Sequence, residues 1–140
     1  MTTAKMGVRI RIESRSAGQA TKQTAEGELY LKGEHVYIRY EEKPSELGRT
    51  VTLIKLEAGQ VKIIRQGDVQ ADQTFVPGEK RVGFYQTAQG RMELEMETHE
   101  LTQNMEAGIG TVHWSYDLYA SGEHAGHYRI KLNIQKGQGS

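Results

Sequence analysis

Apolar and polar residues alternate along most of the chain in short runs, and most runs end at a glycine-bearing turn. In the first run, Val8, Ile10 and Ile12 alternate with charged residues. Strict alternation over a short run is typical of a β-strand that buries one face. The pattern continues to Ile134 and predicts about eight to ten antiparallel strands.

Neighbouring runs come into phase across several turns, so that the apolar residues of both strands share one face. The predicted pairs are Leu29 with Ile38 across Gly33-Glu34, Ile54 with Ile63 across Ala58-Gly59, Phe84 with Leu94 and Val82 with Met96 across Ala88-Gln89-Gly90, and Asp117 with Arg129 or His127 in the last hairpin. Each hairpin therefore has one apolar face and one polar face.

Three segments lack this alternation. Residues 14–24 are predicted to form a mobile loop or a frayed strand end, and residues 101–110 have room for one short helical turn. Residues 68–80 are interpreted as a crossover segment.

Val51, Leu53 and Ile64 form a second apolar face on the hairpin around Ala58-Gly59, and such a face needs a cover. Three alternatives could supply this cover: the crossover segment, the amino-terminal strand and a second copy of the protein.

Sequential hairpins with one apolar face bury that face by rolling into a barrel or by stacking as a sandwich. Closure is favoured because a curling meander meets its own edge and removes the unpaired strand edges. We therefore predict an all-β fold, a single antiparallel up-and-down, lipocalin- or calycin-like barrel with at most one helical turn. The domain spans residues 1–140, with a core at about 8–134 and a flexible tail at 136–140.

Several blocks of the sequence, in their order and spacing, resemble the YwiB-like proteins of Firmicutes. These blocks are Tyr37-Ile38-Arg39-Tyr40-Glu41-Glu42, Thr52-Leu53-Ile54-Lys55, Val61-Lys62-Ile63-Ile64-Arg65-Gln66-Gly67, Phe75-Val76-Pro77-Gly78, Tyr85-Gln86-Thr87-Ala88-Gln89-Gly90 and Tyr116-Asp117-Leu118. The resemblance covers residues 8–134. It implies a calycin-like β-barrel and a bacterial cytosolic setting, and it implies no activity and no catalytic residues.

Arg65 is the first candidate for a binding residue, because the hairpin register that turns Val61 inward also turns Arg65 inward, opposite Thr52. A guanidinium that faces a barrel interior needs an anion. Three alternatives remain: Arg65 reaches water at the rim, it anchors an anionic ligand, or it pairs with an internal carboxylate such as Glu41 or Glu42.

A set of aromatic residues and methionines shares the inward parity of Arg65. Its members are Tyr40, Trp114, Tyr116, Tyr128, Met92 and Met96. Such a lining suits an apolar or amphiphilic ligand, and it suits a packed core equally well. Together with Arg65 and Thr52, this set is the predicted ligand-binding set.

No arrangement of reactive side chains identifies a reaction. His124 and His127 lie beside Glu123, with His113 on the adjacent strand, but the loop imposes no metal geometry. These histidines are interpreted as exposed polar residues, and His99 as an isolated one. No catalytic residue, metal or cofactor is predicted, and an enzyme that uses tyrosine and arginine at the barrel mouth is the third hypothesis.

Composition limits the classes of molecule that this protein is expected to bind. Eighteen basic residues balance eighteen acidic ones, so no net field attracts nucleic acid or an anionic membrane. The chain has no cysteine and no segment typical of a signal peptide or membrane span, which favours the cytoplasm. The leading hypothesis is non-enzymatic binding of a small apolar or amphiphilic anionic ligand in the barrel. The alternative is a homodimeric or protein-interaction module with a filled barrel.

Overall fold

The computed structural model describes residues 4–137, and these residues form ten β-strands. The strands are β1 (Ala4–Ser16), β2 (Gln19–Lys32), β3 (His35–Glu41), β4 (Thr50–Glu57), β5 (Gln60–Gly67), β6 (Gln70–Phe75), β7 (Lys80–Thr87), β8 (Gly90–Glu106), β9 (Ile109–Ala120) and β10 (Glu123–Lys136). Most of the predicted tail, residues 138–140, lies outside the described residues. Within 4–137 no helix has the length and apolarity that a membrane span requires.

Every strand pairs antiparallel with its neighbours in sequence, and β1 also pairs with β10. This last pairing closes the sheet into an up-and-down barrel, as the sequence predicts. Closure satisfies the backbone hydrogen bonds that the two edge strands of an open sheet would leave free. Because the chain reverses at every turn, the β1–β2, β3–β4, β5–β6, β7–β8 and β9–β10 connections all lie at one end of the barrel, here called the mouth.

Two hairpin predictions are confirmed residue by residue. Leu29 pairs with Ile38 across the turn at Gly33, and Ile54 pairs with Ile63 across the turn at Gly59. In the last hairpin His127 pairs with Asp117, which is one of the two predicted registers. Short glycine turns between alternating runs therefore predicted these registers correctly.

The predicted register of the β7–β8 hairpin is wrong by one residue. The turn has two residues, so Thr87 pairs with Gly90 and Phe84 pairs with Glu93. A slip of one residue exchanges the two faces of a strand. Phe84 and Val82 consequently point outward, Val82 is 65% exposed, and Gly83 and Tyr85 take the inward positions. Glycine is required at Gly83, because a Cβ there would clash with the backbone oxygen of Asp72.

The three segments without apolar alternation also belong to the barrel wall. Residues 14–24 form the ends of β1 and β2 around a turn at Ala17-Gly18, which contradicts the loop alternative and agrees with the placement at a strand end. Residues 101–110 form the β8–β9 hairpin, so the predicted helical turn is wrong. Residues 68–80 contain β6, which is a wall strand and not a crossover. The polar strand ends near the two turns extend beyond the core, which explains why alternation of apolar residues did not reveal them.

The barrel interior is a continuous apolar core formed by the inward residues of the strands. Its large, fully buried members include Phe75, Ile10, Leu29, Ile38, Ile54, Met96, Leu132 and Ile134. Trp114 is 3% exposed and packs against Phe75, with ring centroids 5.5 Å apart. Tyr116 lies 4.6 Å from Phe75 and 5.4 Å from Tyr128, measured between ring centroids. The middle of the barrel is therefore filled by aromatic packing.

Candidate functional site

The barrel interior is polar at the mouth, because Arg65 points inward there, two residues before the end of β5. Its Nε donates to Glu42 Oε2 at 2.8 Å, and its second terminal nitrogen donates to Glu42 Oε1 at 2.7 Å. This two-point contact matches the planar guanidinium fork to the carboxylate. Of the three alternatives for Arg65, the structure contains the internal ion pair, with Glu42 as the partner.

The residues around this pair hold it in place. Thr52 pairs with Arg65 in the β4–β5 ladder, and its hydroxyl donates to Glu42 Oε2. The guanidinium carbon of Arg65 lies 5.9 Å from the centroid of the Tyr85 ring, within the range of a cation–π interaction. Tyr40 pairs with Thr52 from the other side and is 6% exposed. Residues of β3, β4, β5 and β7 thus contribute to one polar layer.

Burial and pairing act against each other on the ionisable groups of this layer. Burial raises the pKa of Glu42, but hydrogen bonds from Arg65 and Thr52 outweigh it, and the net pKa lies below the ordinary value. Burial lowers the pKa of Arg65, and the hydrogen bond and charge of Glu42 raise it further than burial lowers it. Both groups stay ionised at neutral pH. Burial raises the pKa of Tyr40 to about 12, despite an opposing hydrogen bond with Thr52.

A cavity of about 870 Å³ opens above this layer. Its wall combines residues from both faces of β1 and β2, the end of β3 and the start of the β3–β4 loop, residues 42–49. Ile10, Ile12, Ala25 and Tyr40 supply the apolar lining. Glycine at position 27 makes room for Tyr40, since a Cβ there would lie 2.9 Å from the Cβ of Tyr40. The volume falls within the range of about 300–1,000 Å³ that small-molecule sites occupy.

Four cationic and three anionic side chains line this cavity: Arg9, Lys22, Lys43 and Arg65 with Glu26, Glu41 and Glu42. Arg9 pairs with Glu26 at 3.0 Å, and Arg65 pairs with Glu42. Lys43 forms no ion pair with any residue of the described range 4–137. The rim therefore carries a small excess of positive charge.

The structure divides the predicted ligand-binding residues into two groups. Arg65 and Tyr40 line the cavity, with Thr52 directly behind them. Trp114, Tyr116 and Met96 belong to the filled core, Tyr128 is half-buried against Tyr116, and Met92 is 44% exposed at the mouth. None of the second group lines the cavity.

Sequence reasoning missed the contribution of β1 and β2 to the cavity. Ile12 and Ala25 reach it because the turn at Ala17-Gly18 pairs Ile12 with Gln23 and Ile10 with Ala25. Both turn residues have positive φ, 51° and 77°. Two-residue hairpin turns of this kind favour asparagine or aspartate before glycine, so alanine gave only a weak signal.

A second group of polar residues lies on the outer wall. The carboxylate of Asp117 on β9 accepts hydrogen bonds from three histidine rings. The distances from its oxygens are 2.6 Å to His99 Nε2, 3.0 Å to His124 Nε2 and 3.2 Å to His127 Nδ1. Hydrogen bonds from His124 and His99 hold the pKa of Asp117 far below its ordinary value. The interpretation of His99 as isolated is wrong, whereas His113 and Glu123 lie outside this group.

The fold and the mouth cavity define a small, closed, antiparallel β-barrel with a filled centre and an ion pair inside one end. Residues 7–132 match the family model described as a domain of unknown function, DUF1934, and the chain belongs to that family. The predicted resemblance and the predicted barrel are thereby confirmed.

Two comparisons with individual proteins agree with this family assignment. The chain is 27% identical over 111 residues to the uncharacterized β-barrel protein YwiB of Bacillus subtilis (strain 168), a match that covers 79% of this chain and 78% of YwiB. The crystal structure of the YwiB protein from Bacillus subtilis matches with a TM-score of 0.76 and 21% identity, covering 97% of this chain and 94% of that one. The structural match shows the fold alone.

Proposed function

We propose that this barrel binds a small amphiphilic molecule, preferentially an anionic one, in the cavity at its mouth. The observation that carries the proposal is the cavity itself, about 870 Å³, which combines an apolar part of the wall with charged side chains and has an ion pair at its floor. The partly exposed Ile12 and Ala25 offer contacts to a hydrocarbon or aromatic portion, and the buried Ile10 and Tyr40 complete the apolar part of the lining. Burying that portion supplies the main driving force for binding.

The charged rim supports an anionic head group, and Lys43 is its best partner. Arg65 and Arg9 are already neutralised by Glu42 and Glu26, so a ligand would have to break those pairs to use them. Lys43 carries no such partner within residues 4–137, and Lys22 has only a contact of 4.0 Å with Glu13. The ion pair of Arg65 then acts as the floor of the site.

A fluorescent titration tests the site directly. Anilinonaphthalene sulfonate, an amphiphilic anion, is titrated into the purified protein and then displaced with decanoate. Ala25→Trp fills the cavity, so we expect it to weaken both ligands by at least tenfold. Ala20→Trp, on the exposed outer side of β2, is the matched control and should bind as the parent protein does. If Ala25→Trp binds decanoate as tightly as Ala20→Trp, the cavity is not the binding site.

The head group is tested separately with a charged and a neutral ligand of equal chain length. Lys43→Ala should weaken decanoate by about threefold, which corresponds to one solvent-exposed charge pair, and leave decanol unchanged. Equal losses for both ligands would show that Lys43 acts through packing and not through charge.

A homodimer is the second candidate, and the outer apolar patch favours it. Leu53, Ile64, Asp72 and Phe84 lie in one outward row of paired residues across β4 to β7. Val51 and the exposed Val82 flank that row. Light scattering after size exclusion measures the mass. A dimer that becomes a monomer in Leu53→Lys would support this use of the patch, and a monomeric parent protein would contradict it.

A further inference from the structure

The strongest unassigned feature is the group of His99, Asp117, His124 and His127 on the outer wall, here called the Asp117 cluster. It spans three adjacent strands, with His99 on β8, Asp117 on β9 and the other two histidines on β10. The carboxylate lies at the centre, and the three rings approach it from both sides. His99 and His127 also lie close to each other, with ring centroids 6.0 Å apart.

Two irregularities in the strands build this arrangement. The register of β8 against β9 shifts between Thr98 and Glu100, so His99 is the extra residue of a bulge. The register of β10 against β9 shifts between His124 and Gly126. A bulge re-aims the side chains beside it. Without the second bulge, His124 and His127 would lie on opposite faces of β10, because residues three apart alternate sides.

The separations within the cluster suit a metal ion. One ligand atom each from His99, Asp117 and His127 lies within 4.8 Å of the other two. Zinc bonds to imidazole nitrogen and carboxylate oxygen are about 2.0–2.1 Å long, which places ligand atoms of a tetrahedral site roughly 3.3 Å apart. The distance from His127 Nδ1 to Asp117 Oδ1, 3.2 Å, is close to that spacing. The distance from His99 Nε2 to Asp117 Oδ2, 2.6 Å, is shorter, so this pair must move apart slightly when an ion binds.

The donor set is also richer than ion pairing requires. One carboxylate carries one negative charge and needs one imidazolium, yet three imidazoles surround it. A neutral imidazole offers a nitrogen lone pair to a metal ion. Glu97 lies directly across from Asp117 in the β8–β9 ladder and adds negative charge nearby. The surroundings therefore favour a cation.

We propose that the Asp117 cluster is a binding site for a divalent transition-metal ion, with His99, Asp117 and His127 as ligands. His124 lies 3.0 Å from Asp117 but outside the group of three mutually close ligand atoms, and it completes the site as the fourth ligand by turning its ring toward the ion. Two or three imidazoles and a carboxylate are borderline ligands that suit zinc, and cobalt, nickel and copper bind the same donors. The side chains of His99, His124 and His127 are 44%, 53% and 47% exposed, so an ion reaches the site from solvent without any opening of the barrel. Bound metal joins β8, β9 and β10 on the outer wall.

Calorimetric titration with zinc chloride tests the site. The protein is prepared without a histidine tag and stripped with chelator beforehand. We expect one zinc ion per chain, and we expect His99→Ala, His127→Ala and Asp117→Asn each to lower the affinity at least tenfold. His113→Ala is the matched control, because His113 is an exposed, outward residue of β9 outside the cluster. It should bind zinc as the parent protein does.

Two further measurements separate a built site from loss of folding or surface binding. Zinc should raise the midpoint of thermal unfolding of the parent protein and of His113→Ala, and should leave that of the His99→Ala variant unchanged. Cobalt should give the intense visible absorption of a four-coordinate site, and His124→Ala should weaken that absorption. Zinc binding that survives His99→Ala and His127→Ala, or that falls equally in His113→Ala, would overturn the proposal.

Discussion

At the level of Trp114 the barrel interior is filled, whereas at the level of Arg65 it opens onto a cavity. Both residues project inward from the same closed sheet. Around Trp114 the neighbours are Phe75 and Tyr116, and packing leaves no room for a ligand. Around Arg65 the neighbours are Glu42, Thr52 and Tyr40, and the layer touches the solvent-accessible cavity.

The difference shows that this barrel is tightly packed at its centre and open at its mouth, where the proposed binding site lies. A charge inside a barrel needs a partner, and Arg65 has one because Glu42 follows the last strand residue of β3 at the open end. At that end the two side chains remain 28% and 21% exposed, so neither loses its hydration entirely. Four predictions would break or sharpen this contrast.

The largest effect is expected in the filled layer. Trp114→Ala removes a large side chain from a packed environment and should lower the free energy of unfolding by about 3–5 kcal/mol. Met92→Ala, at the exposed mouth, should cost less than about 1 kcal/mol. Urea denaturation of the two variants measures both values. Equal losses would mean that the mouth is packed as tightly as the centre.

The next effect concerns Tyr40 at high pH. Its pKa is raised to about 12 in the folded protein, against 10.0 for an ordinary tyrosine. The burial of Tyr40 therefore contributes fully to stability below pH 10, and this contribution is lost as the pH rises through about 12. Between these values the Tyr40 hydroxyl ionises readily in the unfolded chain but not in the folded protein. The loss amounts to about 2–3 kcal/mol.

Denaturation at pH 9 and near pH 12 compares the parent protein with Tyr40→Phe, which has no hydroxyl to ionise. The variant should lose less stability over this interval. Tyr116, whose pKa burial also raises, remains in both proteins and contributes equally to each. Identical losses in the two proteins would show that Tyr40 titrates normally and is not desolvated.

A smaller effect is expected from the ion pair itself. Glu42→Gln leaves Arg65 without its anion and should cost about 1–2 kcal/mol, reduced from the value for a fully buried pair by the partial exposure of both groups. The double variant Glu42→Gln with Arg65→Gln should be more stable than the sum of the two single losses predicts. Additive losses would argue that the two side chains act independently.

The smallest effect compares two buried threonines. Thr98 is 1% exposed and its hydroxyl has no partner among the described residues, whereas the hydroxyl of Thr52 donates to Glu42. Thr98→Val removes an unsatisfied polar atom and should stabilise the protein, or leave it unchanged. Thr52→Val should destabilise it by about 1 kcal/mol. Thermal unfolding of the two variants gives the sign of each change, and destabilisation by Thr98→Val would indicate an interaction of that hydroxyl.

Particular residues show how far alternation alone can predict this protein. It placed Ile54 against Ile63 and Thr52 against Arg65, because a short glycine turn joins two runs of clear parity. It misplaced Phe84, because a turn of two residues and one of three residues both give a hairpin and differ by one step in register. The close approach of Asp72 to Gly83, which accompanies the observed register, comes from β6 and is invisible in the local pattern.

The same limit of the alternation pattern decides how much of the mouth cavity and of the Asp117 cluster could be predicted. Arg65, Tyr40 and Thr52 were found because each lies in a regular strand, and Glu42 was one of two carboxylates considered. The cavity wall from β1 and β2 was missed, since its turn lacks the usual residues. Asp117 was placed beside Arg129 or His127, and His124 and His127 were grouped, but their meeting with His99 at Asp117 was missed, because His99 and His124 lie at bulges, where the two-residue period fails.

The sequence by itself determined that the chain forms antiparallel strands with one apolar face, that these strands close into a barrel, and that an arginine faces inward near one end. Each of these features follows from a local period of two and from the cost of leaving apolar faces and strand edges exposed. Only the tertiary structure decided which aromatic residues fill the interior, which carboxylate pairs with Arg65, and which histidines meet at Asp117. Those outcomes depend on register shifts and on distances between strands that are remote in sequence, and residue order does not encode either of them locally.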